Sequence, residues 1–302
     1  MTLALTGGTG FVGQAVLDEA GRRGVPIRAL TRRQQEPREG VEWVRGDLAD
    51  TGALSALVAG AEGVLHVAGV VGALDPTHFA AGNVAGTEAV LEAARAAEVQ
   101  RFVCVSSLAA REPGLSAYGK SKRHAEEAVQ TSGLDWTIVR PPAVYGPRDR
   151  EMLELFKAAR WGVLPMPARG RASIVHVDDL ARLLLALVPG SPATKGRIFE
   201  PDDGQPGGWS HVELARMIGA AVGRKVRVPQ LSARMLSGAA RIDRLVRGQK
   251  AKLTADRARY MSHPDWVSSP ERAVPAEFWQ PWIATPDGLR DTAGWYRSHG
   301  WL

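Results

Sequence analysis

Residues 2–13 constrain the chain more than any other stretch. A short apolar strand, Thr2-Leu3-Ala4-Leu5-Thr6, runs into the glycine loop Gly7-Gly8-Thr9-Gly10-Phe11-Val12-Gly13 and then into the helical run from Gln14 to Arg22. A loop without side chains lets backbone N–H groups close on a diphosphate, and the following helix directs its positive end at the same charge. Glycine spacing alone is weak evidence, but a strand before it and a helix after it make a dinucleotide the expected ligand. Gly7, Gly10, Phe11, Val12 and Gly13 are expected to hold it.

The alternation continues. Strand-like runs at Ile27–Leu30, Val41–Val44, Gly63–Val67, Arg101–Val105 and Trp136–Val139 are separated by Ala/Leu/Glu-rich helical stretches at 14–23, 51–58, 86–97 and 120–130. Repeated strand–helix units predict an α/β fold, a Rossmann-type doubly wound parallel sheet with ligands beyond the carboxyl ends of its strands. After Pro141-Pro142 the alternation weakens and Pro, Trp and Arg become denser. A later piece, Ile174–Val177 with the helix 178–188 and the strand Gly196–Phe199, reads as a return to the first lobe. The expected organisation is therefore a dinucleotide-binding domain at 1–147 and 172–202, and a smaller, discontinuous C-terminal substrate lobe at 148–171 and 203–302.

A chain of 302 residues is long enough to bury a full core, and its 23% charged residues are ordinary for a globular protein. The single cysteine, Cys104, sits in the apolar run Phe102-Val103-Cys104-Val105, so no disulfide framework exists and a buried structural thiol is expected. No stretch reads as a signal peptide or a bilayer span, which gives the expectation of a soluble, cytoplasmic protein. The net charge is +6, with basic residues thickening at Arg224, Lys225, Arg227, Arg241, Arg244, Arg247, Lys250 and Lys252. Interleaved Leu231, Met235, Leu236, Ile242, Leu245 and Val246 make this an amphipathic helix with a cationic face, either solvated or attracted to an anionic membrane surface or phosphate-bearing ligand. Nucleic-acid motifs are absent, and no nucleic-acid partner is expected.

The second strand bears on which dinucleotide binds. Where NAD-binding versions carry an acid for the ribose hydroxyls, Ile27-Arg28-Ala29-Leu30 ends in Thr31-Arg32-Arg33. A guanidinium pairs with a 2′-phosphate that an acid would repel, so Arg32 and Arg33 favour NADP(H), with NAD(H) as the alternative. Asp47, in Gly46-Asp47-Leu48, is placed either to accept from the adenine amino group or to cap a helix.

Tyr118-Gly119-Lys120-Ser121-Lys122 puts a phenol and an ammonium four residues apart on one helical face, where the cation favours phenolate. Ser107, at the end of the 102–105 strand, stands where it can hydrogen-bond a substrate oxygen. Ser107, Tyr118 and Lys122 form the expected catalytic set, and no metal site is expected.

These motifs together resemble the extended short-chain dehydrogenase/reductase family, the NAD-dependent epimerase/dehydratase group. The likeness runs nearly end to end through His66-Val67-Ala68-Gly69, Asn83 to Thr87, Val105-Ser106-Ser107, Arg140-Pro141-Pro142-Ala143-Val144-Tyr145-Gly146-Pro147, His176-Val177-Asp178-Asp179 and the ending Trp295 to Leu302. The resemblance implies that Ser107, Tyr118 and Lys122 are catalytic and that Lys122 also holds the nicotinamide ribose. It implies cofactor contacts from Asp47, Leu48, Val67, Ala68 and Gly69, and from Pro141, Ala143 and Val144 beside the nicotinamide. Asn83 is carried over as a supporting residue, with a helix cap as the competing account. His176 with Asp178 and Asp179 resembles a packed element, not a metal site.

Only ten residues, Leu108 to Ala117, separate Ser107 from Tyr118, where nucleotide-sugar epimerases and dehydratases usually carry more. That departure resembles a short-loop branch of NADPH-binding reductases and complex I accessory-subunit-like members. The leading expectation is an NADPH-dependent oxidoreductase that interconverts a carbonyl and a secondary alcohol. The alternatives are an epimerase or dehydratase with retained cofactor, and a non-catalytic NADP(H)-binding module. A small-molecule substrate is expected, with an apolar character suggested by Val70-Val71-Gly72-Ala73-Leu74 and by five late tryptophans, whose competing role is the lobe's core. Arg169 and Arg171 are candidates to meet an anion. The family resemblance also implies a homodimer through helices matching 86–97 and 120–130.

Overall fold

The computed structural model describes residues 2–72, 75–248 and 253–302. Ala73 and Leu74 of the apolar loop, and Lys250 and Lys252 of the basic run, lie outside the described residues. The chain divides into two compact units: Met1–Pro141 with Asp178–Pro201 and Arg272–Trp279, and Pro142–Val177 with Asp202–Glu271 and Gln280–Leu302.

The first unit contains β1 (Leu3–Thr6), α1 (Phe11–Arg23), β2 (Ile27–Thr31), β3 (Val41–Arg45), α2 (Thr51–Val58), β4 (Gly63–His66), α3 (Pro76–Phe79), α4 (Gly86–Ala96), β5 (Arg101–Val105), α5 (Ala117–Gln130) and β6 (Asp135–Val139). Seven parallel strands are ordered β11-β6-β5-β4-β1-β2-β3, the seventh being β11 (Arg197–Phe199), which pairs with β6. Strand order reverses between β1 and β4, which opens a crevice beyond their carboxyl ends. β1 and β4 are buried throughout, as a sheet covered on both faces requires. On one face Leu54, Leu57, Val58, Val90, Leu91 and Val129 pack on Ala4, Val64, Phe102, Cys104 and Ile138. Each such fully buried aliphatic side chain contributes roughly 1.5–3 kcal/mol. Cys104 is a member of that core, and burial pushes its thiol up to about 11.

The second unit is built from short pieces: β7 (Ala143–Tyr145), α6 (Leu153–Arg160), β8 (Met166–Pro167), β9 (Arg171–Ala172), β10 (Ile174–His176), β12 (Trp209–Ser210), α8 (His211–Ala221), β13 (Gln230–Leu231), α9 (Ala233–Arg247), α10 (Ala255–Ser262), β14 (Asp265–Trp266) and α11 (Thr285–Ser298). Helix α7 (Val177–Leu187) lies in the first unit apart from its opening residue. Strand β10 pairs with β7, not with the central sheet, so residues 142–147 and 172–177 group with the second unit, where the sequence places them in the dinucleotide-binding domain. Three-residue strands carry no periodicity that says which sheet they join. The core of this unit gathers Tyr145, Phe156, Ile174, Leu214, Ile218, Leu289 and Tyr296. Trp266 is buried and stacks on Tyr260, and Trp295 packs edge-on to Trp301, so these tryptophans build the lobe's interior, whereas Trp282 is exposed.

Candidate active site

The site grows from the carboxyl ends of β1, β4 and β5. At Gly7 the backbone has φ 76°, and a Cβ there would lie 2.6 Å from the Ala68 nitrogen, so only glycine lets the first loop touch the loop after β4. Helix α1 opens at Phe11 with Gly10 as its N-cap and no capping side chain. The first-turn N–H groups of Phe11 and Val12 thus keep their capacity for an anion, and the crevice fits a dinucleotide diphosphate.

A buried hydrogen-bond chain holds these loops. Thr87 Oγ1 donates to the Asn83 carbonyl at 2.6 Å and therefore accepts from His66 Nε2 at 2.9 Å. His66 Nδ1 must then accept from Thr6 Oγ1 at 2.7 Å, which in turn accepts from the Ala68 N–H at 3.2 Å. Each hydroxyl donates once and accepts once, so one tautomer satisfies the whole chain. Burial, with the Lys122 charge adding to it, pushes His66 down to about 3 and keeps the ring neutral.

Asn83 lies in a π-helical turn, Ala80–Ala85, between α3 and α4. Its side chain accepts from Val70 N at 2.6 Å and donates to Val70 O at 3.0 Å and to Ser121 Oγ at 2.9 Å, while Ser121 Oγ donates to the Tyr118 carbonyl. Asn83 is therefore a clamp between the β4 loop and α5, and the expectation of a helix cap is corrected: α4 follows Ala85 with no side-chain cap. Asp47 is not a helix cap either. It accepts from Ala49 N in a local turn, and Asp50 caps α2 through Ala53 N at 2.9 Å.

Helix α5 begins at Ala117, capped by Ser116, so Tyr118 and Lys122 share a helix as the spacing predicts. A Cβ at Gly119 would lie 2.7 Å from the Ala109 carbonyl oxygen, so the ten-residue connection packs directly on the helix's first turn. Lys122 is buried, and its Nζ donates to the Val105 carbonyl at 2.8 Å, two residues before Ser107. Ser107 Oγ accepts from Ala109 N. The Tyr118 ring is half-buried against Phe79, with ring centroids 6.0 Å apart. Below the site, buried Glu126 accepts from Ser106 Oγ and from Arg140 Nε and Nη2 at 2.5, 2.8 and 2.6 Å, and Arg140 reaches Glu200 at 3.3 Å.

At the far end of the crevice Thr31 Oγ1 bonds the Arg33 backbone. The Arg32 and Arg33 side chains are exposed and make no ion pair among the described residues, whereas Arg28 pairs with Glu42 and Arg38 with Asp18. Leu48 packs where a Cβ on Gly86 would sit. Pro141 ends the first segment of the first unit, and Ala143 and Val144 lie in β7 of the second. Arg171 is engaged by the Gly207 and Gly208 carbonyls at 2.6 Å each, and His176 packs edge-on to Tyr145. No group of three or more His, Cys, Asp or Glu able to hold a metal occurs among the described residues.

The sequence reading missed the side chains of Thr6, His66, Thr87, Ser121 and Glu126. The four-residue step from Asn83 to Thr87, and Ser121 one turn after Tyr118, were the signals available.

A family described as NAD(P)H-binding matches residues 7–188. The chain is 38% identical to a ceramide reductase of Caulobacter vibrioides across 99% of this chain and 96% of that protein. It is 33% identical to a 2-alkyl-3-oxoalkanoate reductase of Stenotrophomonas maltophilia, covering 74% and 76%. In fold it is similar to a Thermus thermophilus UDP-glucose 4-epimerase solved with NAD, at a TM-score of 0.73 and 21% identity over 98% of this chain and 99% of that one. The chain belongs to the NAD(P)-binding Rossmann proteins of the extended short-chain dehydrogenase/reductase type and is an NAD(P)-dependent oxidoreductase.

Proposed function

We propose that this chain is an NADPH-dependent ketone reductase for a ceramide-type lipid, with Ser107, Tyr118 and Lys122 as its catalytic residues. The observation that carries the reading is the position of Lys122, tied at 2.8 Å to the carbonyl of Val105 and one helical turn beyond Tyr118 on the same helix. When bound, reduced nicotinamide supplies a hydride to the carbonyl carbon. Ser107 holds the carbonyl oxygen through its hydroxyl, and Tyr118 passes its phenolic proton to that oxygen, completing a two-electron reduction to a secondary alcohol. Lys122 places its charge beside the phenol and offers its remaining N–H bonds to the nicotinamide ribose. Water restores the tyrosine proton. Buried, hydrogen-bonded Asn83 and neutral His66 position the loop rather than titrate in it.

NADPH is favoured over NADH by the two unpaired guanidinium groups of Arg32 and Arg33 at the end of β2. Asp47 and Leu48 flank the adenine in this reading, Val67, Ala68 and Gly69 the cofactor's middle, and Pro141 the nicotinamide. The lipid substrate rests on the near full-length likeness to the Caulobacter ceramide reductase. A reductase that makes a ceramide's secondary hydroxyl takes the corresponding long-chain N-acyl amino ketone, and the second unit is its substrate lobe.

The test is oxidation of NADPH and NADH by the purified chain with that ketone and a short-chain analogue. The expected result is turnover of the long-chain ketone, with kcat/KM for NADPH at least tenfold above that for NADH and the gap narrowed by Arg32→Ser. Equal use of NADH, or no oxidation with either ketone, would overturn the reading.

A further inference from the structure

Helix α9 leaves a face uncovered. Its fifteen residues are anchored to the second unit by Leu236, Ala240 and, from α10, Ala258, with Leu231 and Leu253 alongside. On the opposite side, Met235, Ile242, Leu245 and Val246 are 54%, 63%, 85% and 77% exposed. Met235, Ala239, Ile242 and Val246 fall at i, i+4, i+7 and i+11, so they form one stripe, and Leu245 widens it. Isolated exposed aliphatic residues are ordinary, but a continuous stripe of them on one helix is not.

The charge beside the stripe says what covers it. Arg234 and Arg241 are exposed and have no carboxylate partner among the described residues. Arg234 and Arg241, seven residues apart, line an open depression with Ala233, Ser237 and Gly238. The helix's one acid, Asp243, is occupied by Arg247 at 3.2 Å and by the Leu253 N–H. A second copy docked on the same face would bring unpaired arginines against their own kind with no acid left to meet them, so a self-complementary contact is disfavoured. An apolar stripe bordered by free arginines matches instead the acyl-headgroup boundary of an anionic bilayer. At about 1.5 Å per residue the helix is roughly 22 Å long, short of the roughly 30 Å hydrocarbon core, and no described helix is long and apolar enough to cross a membrane. It can lie on a bilayer but not through it.

We propose that α9 is a membrane-docking helix: Met235, Ile242, Leu245 and Val246 enter the acyl region of an anionic lipid surface while Arg234 and Arg241 hold headgroup phosphates. The proposal stands on α9 alone and does not require the catalytic reading, although docking keeps an enzyme for a lipid ketone where that ketone resides.

The full chain is floated with vesicles of phosphatidylcholine alone and of equal parts phosphatidylcholine and phosphatidylglycerol. The expected result is flotation with the anionic vesicles, a loss on the order of a hundredfold in partitioning for Ile242→Ser/Leu245→Ser/Val246→Ser, and about fivefold per arginine replaced by glutamine. Because all these side chains are exposed, the variants should melt with the parent, which separates lost docking from lost folding. No flotation of the parent, or equal flotation of the triple serine variant, would overturn the proposal. So would a parent dimer that the serine variant dissolves without any vesicle binding, which would make a second copy the occupant. A dead ketone assay with intact flotation would sink the reductase reading and leave this one standing.

Discussion

The crevice end of the first unit and helix α9 of the second treat their side chains in opposite ways. Around β1, β4 and β5, Thr6, His66, Asn83, Thr87, Ser121 and Lys122 are buried and each is hydrogen-bonded to another part of the site. On α9, apolar side chains face water beside arginines with no partner. Buried polar groups that are all satisfied give one rigid geometry, which a proton-transfer site needs. Exposed apolar and unpaired charged groups give adhesion to a surface, which tolerates disorder in its partner. The proposed ligands differ accordingly, a fixed dinucleotide for the first region and a lipid surface for the second.

The largest expected stability effect separates the units by their arginines. Arg140→Met leaves Glu126 buried without its guanidinium partner, while Glu200 keeps Arg111 and Arg272, and unfolding should cost roughly 3–5 kcal/mol less than in the parent. Arg171→Met, in the second unit, removes hydrogen bonds to two backbone carbonyls from an exposed side chain and should cost only about 1 kcal/mol. Urea unfolding of both variants checks the difference, and similar losses would break the contrast.

A smaller effect separates the units by pH. His66 has its folded value lowered to about 3, so between pH 3 and the unfolded value of 6.5 the unfolded chain binds the extra proton. Its share of stability is full above pH 6.5 and is lost as pH falls, by at most about 1.4 kcal/mol per pH unit. Asp149 in the second unit runs the other way. Burial raises it from 3.8 to about 6, so the folded chain holds the extra proton, and stability is lost as pH rises from about 4 to 6. Across that window His66→Gln should remove a rising slope and Asp149→Asn a falling one, as read by thermal melting in buffers stepped through the range. Slopes unchanged in both variants would show that neither group is the origin.

Much of the first unit was legible because its strands are continuous apolar runs and its loops carry glycine. The runs at 27–30, 41–44, 63–67, 101–105 and 136–139 became β2 to β6 with shifts of a residue at most, β4 and β5 because they are buried at every position, whereas the edge strand β3 is partly exposed and carries Glu42 and Arg45. Helix starts moved further. α1 begins at Phe11 and α5 at Ala117, three residues before the runs read from composition, because glycine and Ser116 set those ends. The second unit was hard to read because its strands are two or three residues long, and Ile174–His176 joins β7 through hydrogen bonds that no side-chain pattern announces. On α9 the period of the apolar residues is legible in the sequence but their phase is not. Which of Leu236 and Leu245 turns inward depends on α10, and only the fold shows that Leu236 is buried and Leu245 exposed. At the candidate site, the spacing placed Tyr118 and Lys122 on one helix, whereas the neutral histidine was invisible because its partners lie 60 and 21 residues away.

In the proposed reduction the phenol at position 118 gives up its proton to the ketone oxygen. Tyr118→Phe removes one oxygen from a half-buried ring and leaves the crevice, Lys122, Arg32 and Arg33 in place. Measured beside the parent, the variant should bind NADPH with unchanged Kd by fluorescence titration while kcat for the long-chain ketone falls by roughly a hundredfold to ten-thousandfold. A variant that turns over at the parent rate would contradict the account.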